Sequence, residues 1–210
     1  MTQKTPLRWA AFWLALTGIL LVLLLFMNYH RQMAMPADMQ DLGFVAIREP
    51  SVIEPFSLVD QGGEPAGRDL LLQDWSLVFF GFTYCPDVCP TTLSILNQVV
   101  TELGDDAPQA ILVSADPARD TPQRMKSYVK AFNPAFIGLT GDLEVLTELG
   151  YQMRVSFWKT DENEDYMIEH SANIALIDPK GTFVGYFTIP HRSENMVKVL
   201  QRVKQLPGSQ

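Results

Sequence analysis

The sequence predicts an α/β fold, a mixed β-sheet flanked by helices, behind one N-terminal transmembrane helix. Three observations predict it. Trp9 to Met27 runs for 19 residues without a charge; as a helix it is about 28 Å long, close to the hydrocarbon thickness of a bilayer. Beyond Phe56, short continuous apolar runs alternate with segments whose apolar residues recur every three or four positions, the pattern of buried strands alternating with amphipathic helices. Near the end the chain reads strand, turn, strand, helix, and a hairpin there makes the sheet mixed.

The N-terminal segment sets the topology. Lys4 and Arg8 precede the apolar run, and His30 and Arg31 follow it, with no further basic residue until Arg48. By the positive-inside bias the N-terminus stays in the cytoplasm and the rest is exported. A cleaved signal peptide is the alternative, but its apolar region is usually shorter, about 7–15 residues. Residues 31–37 offer no small-x-small cleavage site, and no cysteine follows the run to carry a lipid. The expected division is therefore 1–31 as membrane anchor, 32–54 as a tether marked by Pro36 and Pro50, and 55–210 as the exported domain. Residues 1–31 hold three of the 16 basic residues and none of the 24 acidic ones, which leaves the remainder strongly acidic. Such a domain is repelled by anionic lipid, and its charge argues against nucleic acid as a partner. The 12 Phe, 4 Trp and 6 Tyr exclude disorder throughout, and only 2 Cys exclude a disulfide-dense scaffold.

The elements follow in order. Phe56 to Asp60 alternates, and Gln61-Gly62-Gly63-Glu64 supplies a turn, so the domain starts on a hairpin. Leu77 to Phe82 is a central buried strand. Leu93, Leu96, Val99, Val100 and Leu103 share a helix face, and Ala110 to Val113 is a second buried strand. Thr121-Pro122 opens a helix with proline in its first turn and Met125, Tyr128, Val129 and Phe132 on its apolar face. Phe136 to Leu139 is a third strand, and Leu143, Leu146, Leu149 and Met153 mark a third helix. Ile174 to Ile177, the turn 178–181 and Thr182 to Thr188 form the hairpin, and Glu194 to Leu206 the closing helix. The acidic run 161–165 reads as a solvated loop.

The chemistry concentrates at Cys85-Pro86-Asp87-Val88-Cys89-Pro90, between the central strand and a helix. Cysteines at i and i+4 fall on one side of a helix turn. Free N–H groups at a helix start favour thiolate. A purely structural disulfide across so short a loop contributes little, because loop-closure stabilisation grows with loop length; redox or metal chemistry accounts for the spacing better. Two thiols with one imidazole fall short of the four donors that structural zinc normally takes, whereas thiolate with imidazole suits copper. Of the three histidines, His30 abuts the anchor and His191 reads as a surface loop residue. His170 precedes the strand at Ile174 and is the best third ligand, although spacing alone leaves that choice close to even.

Three segments carry a family resemblance: Gly81-Phe-Thr-Tyr-Cys85-Pro-Asp-Val-Cys89-Pro90, Ser114-Ala-Asp116-Pro117-Ala-Arg119-Asp120-Thr121-Pro122, and Asp165-Tyr-Met-Ile-Glu-His170-Ser171 followed by a strand and Asp178-Pro-Lys-Gly181. Together they resemble the Sco/SenC family of thioredoxin-like copper proteins over roughly residues 53–206. Glu169 departs from the more frequent Asp, and Ala115 from a larger aliphatic residue. The resemblance implies a thioredoxin-like domain in which Cys85, Cys89 and His170 bind copper, as Cu(I) or Cu(II), with a Cys85–Cys89 disulfide in the oxidised form. It implies a role in assembling the copper centre of cytochrome c oxidase. The expected partners are then a copper-accepting oxidase subunit, a copper donor and a thiol reductant. The N-terminus before the anchor lacks an Arg-rich transit peptide, so the expected setting is a bacterial inner membrane with the domain in the periplasm.

Neighbouring residues admit two readings. Asp116, Arg119 and Asp120 either orient the cysteine turn or form a capped, ion-paired helix start with Asp120 as the cap, and the second is preferred. Asp87 either tunes the sulfurs or caps its turn. Met33, Met35 and Met39 read as chance apolar residues near the anchor rather than thioether ligands. Two other functions compete with a metallochaperone. A thiol–disulfide oxidoreductase built on the redox pair Cys85 and Cys89 suits the fold, but three residues rather than two lie between the cysteines, and no proline directly precedes Ile174. A peroxidase has no motif beyond the cysteines.

Overall fold

The computed structural model describes residues 5–33, 37–72, 74–161 and 166–206. Helix α1 spans Thr5–Met33, and its described apolar side chains, among them Trp13, Leu20, Leu24 and Phe26, are exposed. Among the described residues no helix is long and apolar enough to cross a membrane. The expected transmembrane helix is thus not confirmed.

The domain is a single eight-stranded sheet with helices on both faces, a mixed α/β sheet as expected. Its strands are β1 (Phe44–Val52), β2 (Ser57–Asp60), β3 (Pro65–Gly67), β4 (Ser76–Gly81), β5 (Gln109–Ser114), β6 (Ile137–Thr140), β9 (Ile174–Ile177) and β10 (Thr182–Phe187), in the order β1-β10-β9-β4-β5-β6-β2-β3. Two further strands, β7 (Phe157–Lys159) and β8 (Ile168–His170), form a separate two-stranded sheet among the described residues. Strands β4, β5 and β6 run parallel. Strand β9 pairs antiparallel to β4, with β10 and then β1 beyond it.

Strand β4 is central because every one of its residues is buried. Leu77 and Phe79 point into a core shared with Leu93, Leu96 and Val99 of α2 (Val88–Leu103), Met125 and Val129 of α3 (Pro122–Phe132), and Val199 and Leu200 of α5 (Ser193–Val203). Val78 and Phe80 point the other way, against Leu146 and Leu149 of α4 (Leu143–Gln152). This is the period-two alternation of a strand buried on both faces. Each fully buried Leu, Val or Phe contributes about 1.5–3 kcal/mol relative to exposure. The layers therefore fix where β4 ends, and with it the start of α2.

The range expected as a tether, 32–54, is for the most part built into the domain. Residues Ala37–Leu42 form a 3-10 turn, and Phe44 begins a strand paired with β10. Met39, Phe44, Ile47 and Ile53 are buried, so their apolar side chains complete the core under the sheet edge. Gly185 makes room for this strand: a Cβ there would lie 2.6 Å from the Val45 carbonyl oxygen. Met39 is accordingly a core residue. Met35, the side chains of Met33 and His30, and 162–165 of the acidic loop lie outside the described residues.

Candidate metal centre

The end of β4 passes directly into the cysteine turn. The Cys85 N–H donates to the Phe82 carbonyl at 3.2 Å, closing a β-turn over Thr83 and Tyr84. Helix α2 starts at Val88, so Cys89 sits in its first turn. The Cys89 N–H, one of the donors left free at a helix start, points to Cys85 Sγ at 3.4 Å. Asp87 occupies the N-cap position, but its side chain makes no capping bond. Both cysteines are free thiols; Cys85 is half-buried and Cys89 wholly buried.

His170 arrives from the other side. Strand β9 lies beside β4, with Ile174 opposite Phe79. The short hairpin β7–β8, which pairs Phe157 with His170, therefore ends over the cysteine turn. The imidazole meets Phe79 and Phe82 edge-on, with centroids 5.7 and 6.0 Å away. Its Nδ1 lies 3.2 Å from the Ser171 carbonyl, and Nε2 lies 3.7 Å from Cys89 Sγ. A carbonyl only accepts, so Nδ1 carries a proton, and Nε2 is the ring nitrogen that faces the sulfurs. One ligand atom from each of Cys85, Cys89 and His170 falls within 4.8 Å of the others. Two sulfurs and one imidazole nitrogen at this spacing can close on one soft or borderline ion with little movement.

The two thiols differ electrically. The hydrogen bond from the Cys89 side chain pulls the Cys85 thiol down to about 3, with help from His170 and from the N–H groups of Cys89 and Asp87 and against the opposing effect of burial. The same Cys85 side chain, together with burial, pushes the Cys89 thiol up. Cys85 is the thiolate of the pair, and Cys89 holds the proton. A cavity of about 480 Å³ opens above them, lined among others by Cys85, Val88, Trp158, Met167 and His170. A larger cavity of about 760 Å³ between Phe56 and α4 contains no thiol or imidazole.

Beside the turn, the segment after β5 forms a polar cluster. Thr121, not Asp120, caps α3: its hydroxyl accepts from the Arg124 N–H at 3.3 Å. The preferred reading of Asp120 as the cap is therefore corrected. Its carboxylate is fully buried and turns back across the sheet end. It accepts from the Thr83 hydroxyl at 2.6 Å, from the Thr83 N–H at 3.2 Å and from the Ser114 hydroxyl at 2.7 Å. Burial raises the pKa of Asp120, while these bonds oppose the shift. Asp116 is also buried; it pairs with Arg119 and accepts from the Tyr166 hydroxyl at 2.7 Å. Arg119 lies over the rings of Tyr166 and Tyr84, at 3.8 and 4.6 Å. Sequence reasoning gave no role to Thr83, Tyr84, Ser114 and Tyr166, although they lie in the three segments that carry the family resemblance, and it passed over Arg124.

The SCO1/SenC family model matches residues 46–205 of this chain. The chain belongs to the SCO1/SenC family. A SCO1/SenC relative, the mitochondrial SCO2 homolog of Mus musculus, is 37% identical over 164 residues, covering 75% of this chain and 64% of that protein. The chain thus spans just under two thirds of that relative's length. Two solved SCO1/SenC-type structures superpose on the same region. ScoI of Arabidopsis thaliana with copper bound matches with a TM-score of 0.69 and 32% identity, over 74% of this chain and 99% of that one. ScoI of Bradyrhizobium japonicum with copper bound matches with a TM-score of 0.65 and 37% identity, over 72% of this chain and 99% of that one. The domain therefore has the thioredoxin-like Sco fold, as the motifs implied.

Proposed function

We propose that the protein binds copper as cargo through Cys85, Cys89 and His170 and delivers it to, or prepares, the CuA centre of cytochrome c oxidase. The observation that carries this reading is the convergence of the three donors within 4.8 Å at the end of β4. The Cys85 thiolate is the exposed first contact for an incoming ion. Cys89 gives up its proton as its sulfur joins, and the oriented Nε2 of His170 supplies the third bond. Release reverses these steps: a thiolate of the accepting subunit takes the place of His170 or Cys85, and Cys89 regains a proton. Half-burial suits this exchange, because a fully enclosed ion could not be reached by a second set of ligands. Copper-bound ScoI structures on the same fold support the choice of metal. A copper donor and a thiol reductant complete the expected partners.

The anchor is part of the same proposal. The 19 uncharged residues from Trp9 to Met27 and the exposed apolar side chains along α1 support insertion into a bacterial inner membrane, with the domain in the periplasm.

A second reading is favoured by one observation: a thiolate and a protonated thiol stand side by side. Cys85 would attack a substrate disulfide, and Cys89, losing its proton, would resolve the mixed disulfide. The substrate would leave as one thiol, carrying the Cys89 proton, and one thiolate that takes a proton from water, with Cys85 and Cys89 joined as a disulfide.

Copper titration of the reduced full-length chain in detergent, beside His170→Ala, separates the two readings. The expected result is one copper per chain with sulfur ligation and marked weakening in the variant. No copper retained by either protein, with disulfide exchange intact in both, would overturn the copper reading in favour of the second.

A further inference from the structure

The turn that presents Cys85 is held from outside the three ligands. Its closing bond, from the Cys85 N–H to the Phe82 carbonyl, spans only Thr83 and Tyr84, and both of these are gripped. Thr83 is held at two atoms by Asp120: its N–H and its hydroxyl both donate to that carboxylate. The same hydroxyl accepts from Arg124 Nε at 2.8 Å. Tyr84 lies under the Arg124 guanidinium, 3.8 Å from its ring centroid, with Arg119 at 4.6 Å. Asp120 is itself anchored to the end of β5 through the Ser114 hydroxyl, which also accepts from the Asp116 N–H at 3.0 Å.

We propose that Asp120 is a positioning residue for the metal centre, acting through Thr83 to set where Cys85 Sγ stands relative to Cys89 and His170. This rests on the reading of those three residues as copper ligands. A carboxylate serves here because three donors converge on it in a fully buried position: the Thr83 N–H, the Thr83 hydroxyl and the Ser114 hydroxyl. Alanine would leave all three without a partner. Cys85 Sγ itself is met by the other members of the site and by the N–H groups of its own turn, with the Cys89 N–H at 3.4 Å. It is half-buried, and the residues after it, Pro86 to Val88, are exposed. The backbone that carries it into the site is held by the two residues before it, and those are held by Asp120 and Arg124.

The test uses the full-length chain in detergent with Asp120→Ala, Thr83→Val and Thr83→Ser. The readouts are copper affinity, the copper(II)–thiolate absorption band, and the alkylation rate of Cys85 without metal. Partners that orient a ligand typically contribute 10–100-fold in affinity. Asp120→Ala and Thr83→Val should each lose about that much and shift the band, and Thr83→Ser, which keeps the hydroxyl, should restore both. If Asp120→Ala fails to fold, Thr83→Val decides, because it deletes only one hydroxyl. A folded Thr83→Val with unchanged affinity and band would overturn the proposal. If the unaltered chain binds no copper, the copper reading fails separately. The clamp is then read from the metal-free alkylation rate: faster in Thr83→Val and restored in Thr83→Ser if it holds, equal in all three if it does not.

Discussion

The two arms of the metal centre are built to different standards. The cysteine arm leaves a strand buried at every residue, enters a helix within seven residues of Gly81, and is tied to β5 by a buried carboxylate. The histidine arm is the end of a two-stranded hairpin of three residues per strand that, among the described residues, joins no other strand. Its ring rests on Phe79 and Phe82, with a single backbone contact at Nδ1. On the copper reading, the difference would let one site both capture and release: two sulfurs stay in place, and the third donor sits on a short hairpin with fewer strand pairings. Phe157 stacks on Phe80 and Ile168 is buried in the core, so movement that frees the ion is expected at the His170 end of the hairpin rather than along its length.

Removing donors from the two arms should break the comparison most visibly. Cys89→Ser should abolish copper retention through dialysis. His170→Ala should keep sulfur-bound copper but weaken affinity by at least the 10–100-fold or so that loss of an outer partner costs. Equal losses in the two variants, measured by competition with a chelator, would remove the distinction between the arms.

The next effect is the contrast between the two sulfurs. Cys85 is drawn down to about 3 and Cys89 is pushed up. Alkylation of the metal-free, reduced chain should go to Cys85 alone. Allowing for solvent at this half-buried site, its rate should stay nearly level from about pH 5 to about pH 8, where an ordinary thiol of pKa about 8.5 slows steeply. The sign for stability follows. The folded pKa lies below the unfolded one, so the Cys85 thiolate contributes fully above about 8.5, and that contribution is lost as pH falls toward about 3. Mass spectrometry of the modified peptide checks the site, and a rate that tracks an ordinary thiol contradicts the reading of Cys85 as a thiolate held by the Cys89 side chain.

Gly81→Ala sharpens the view of the cysteine arm as close-packed. A Cβ at Gly81 would lie 2.9 Å from Cys89 Sγ and 3.2 Å from Leu112 Cδ1. Overpacking of this kind costs about 1–3 kcal/mol. The melting temperature of the metal-free protein should fall, and copper affinity with it, because Cys89 is the atom displaced.

These expectations bear on what could be read in the sequence. The cysteine arm was legible because it is local: an apolar strand, a turn and a helix start lie within one short stretch, and the i, i+4 spacing survives without knowledge of the fold. His170 was not legible from spacing, because its approach to Cys89 depends on β9 pairing with β4. Asp120 was misread as a helix cap for a similar reason. Thr121 already caps α3, and the partner of Asp120, Thr83, lies 37 residues away. Strand β1 was read as tether because Arg48, Glu49 and Pro50 interrupt its alternation; the run Phe44-Val45-Ala46-Ile47 was the available signal. Strands β7 and β8 are too short for periodicity to register.

The smallest expected effect lies on the histidine arm. His191, read from the sequence as a surface loop residue, is half-buried, and its Nε2–H donates to the Ala172 carbonyl at 2.8 Å, two residues after His170. Burial lowers its pKa, which favours the neutral ring, while its bond to the Ala172 carbonyl opposes the shift. His191→Ala removes one hydrogen bond of about 1 kcal/mol, or roughly fivefold in copper affinity. Wild-type affinity in that variant would show that the segment after His170 needs no such tie.

The central claim is that one copper ion is held by two fixed sulfurs and one movable imidazole. Copper K-edge X-ray absorption of the loaded full-length chain, compared with His170→Ala, tests it most directly. The account predicts two sulfur neighbours plus one imidazole in the unaltered chain, and two sulfurs without the imidazole in the variant. One sulfur neighbour in the unaltered chain, or an imidazole signal that persists in the variant, would contradict it.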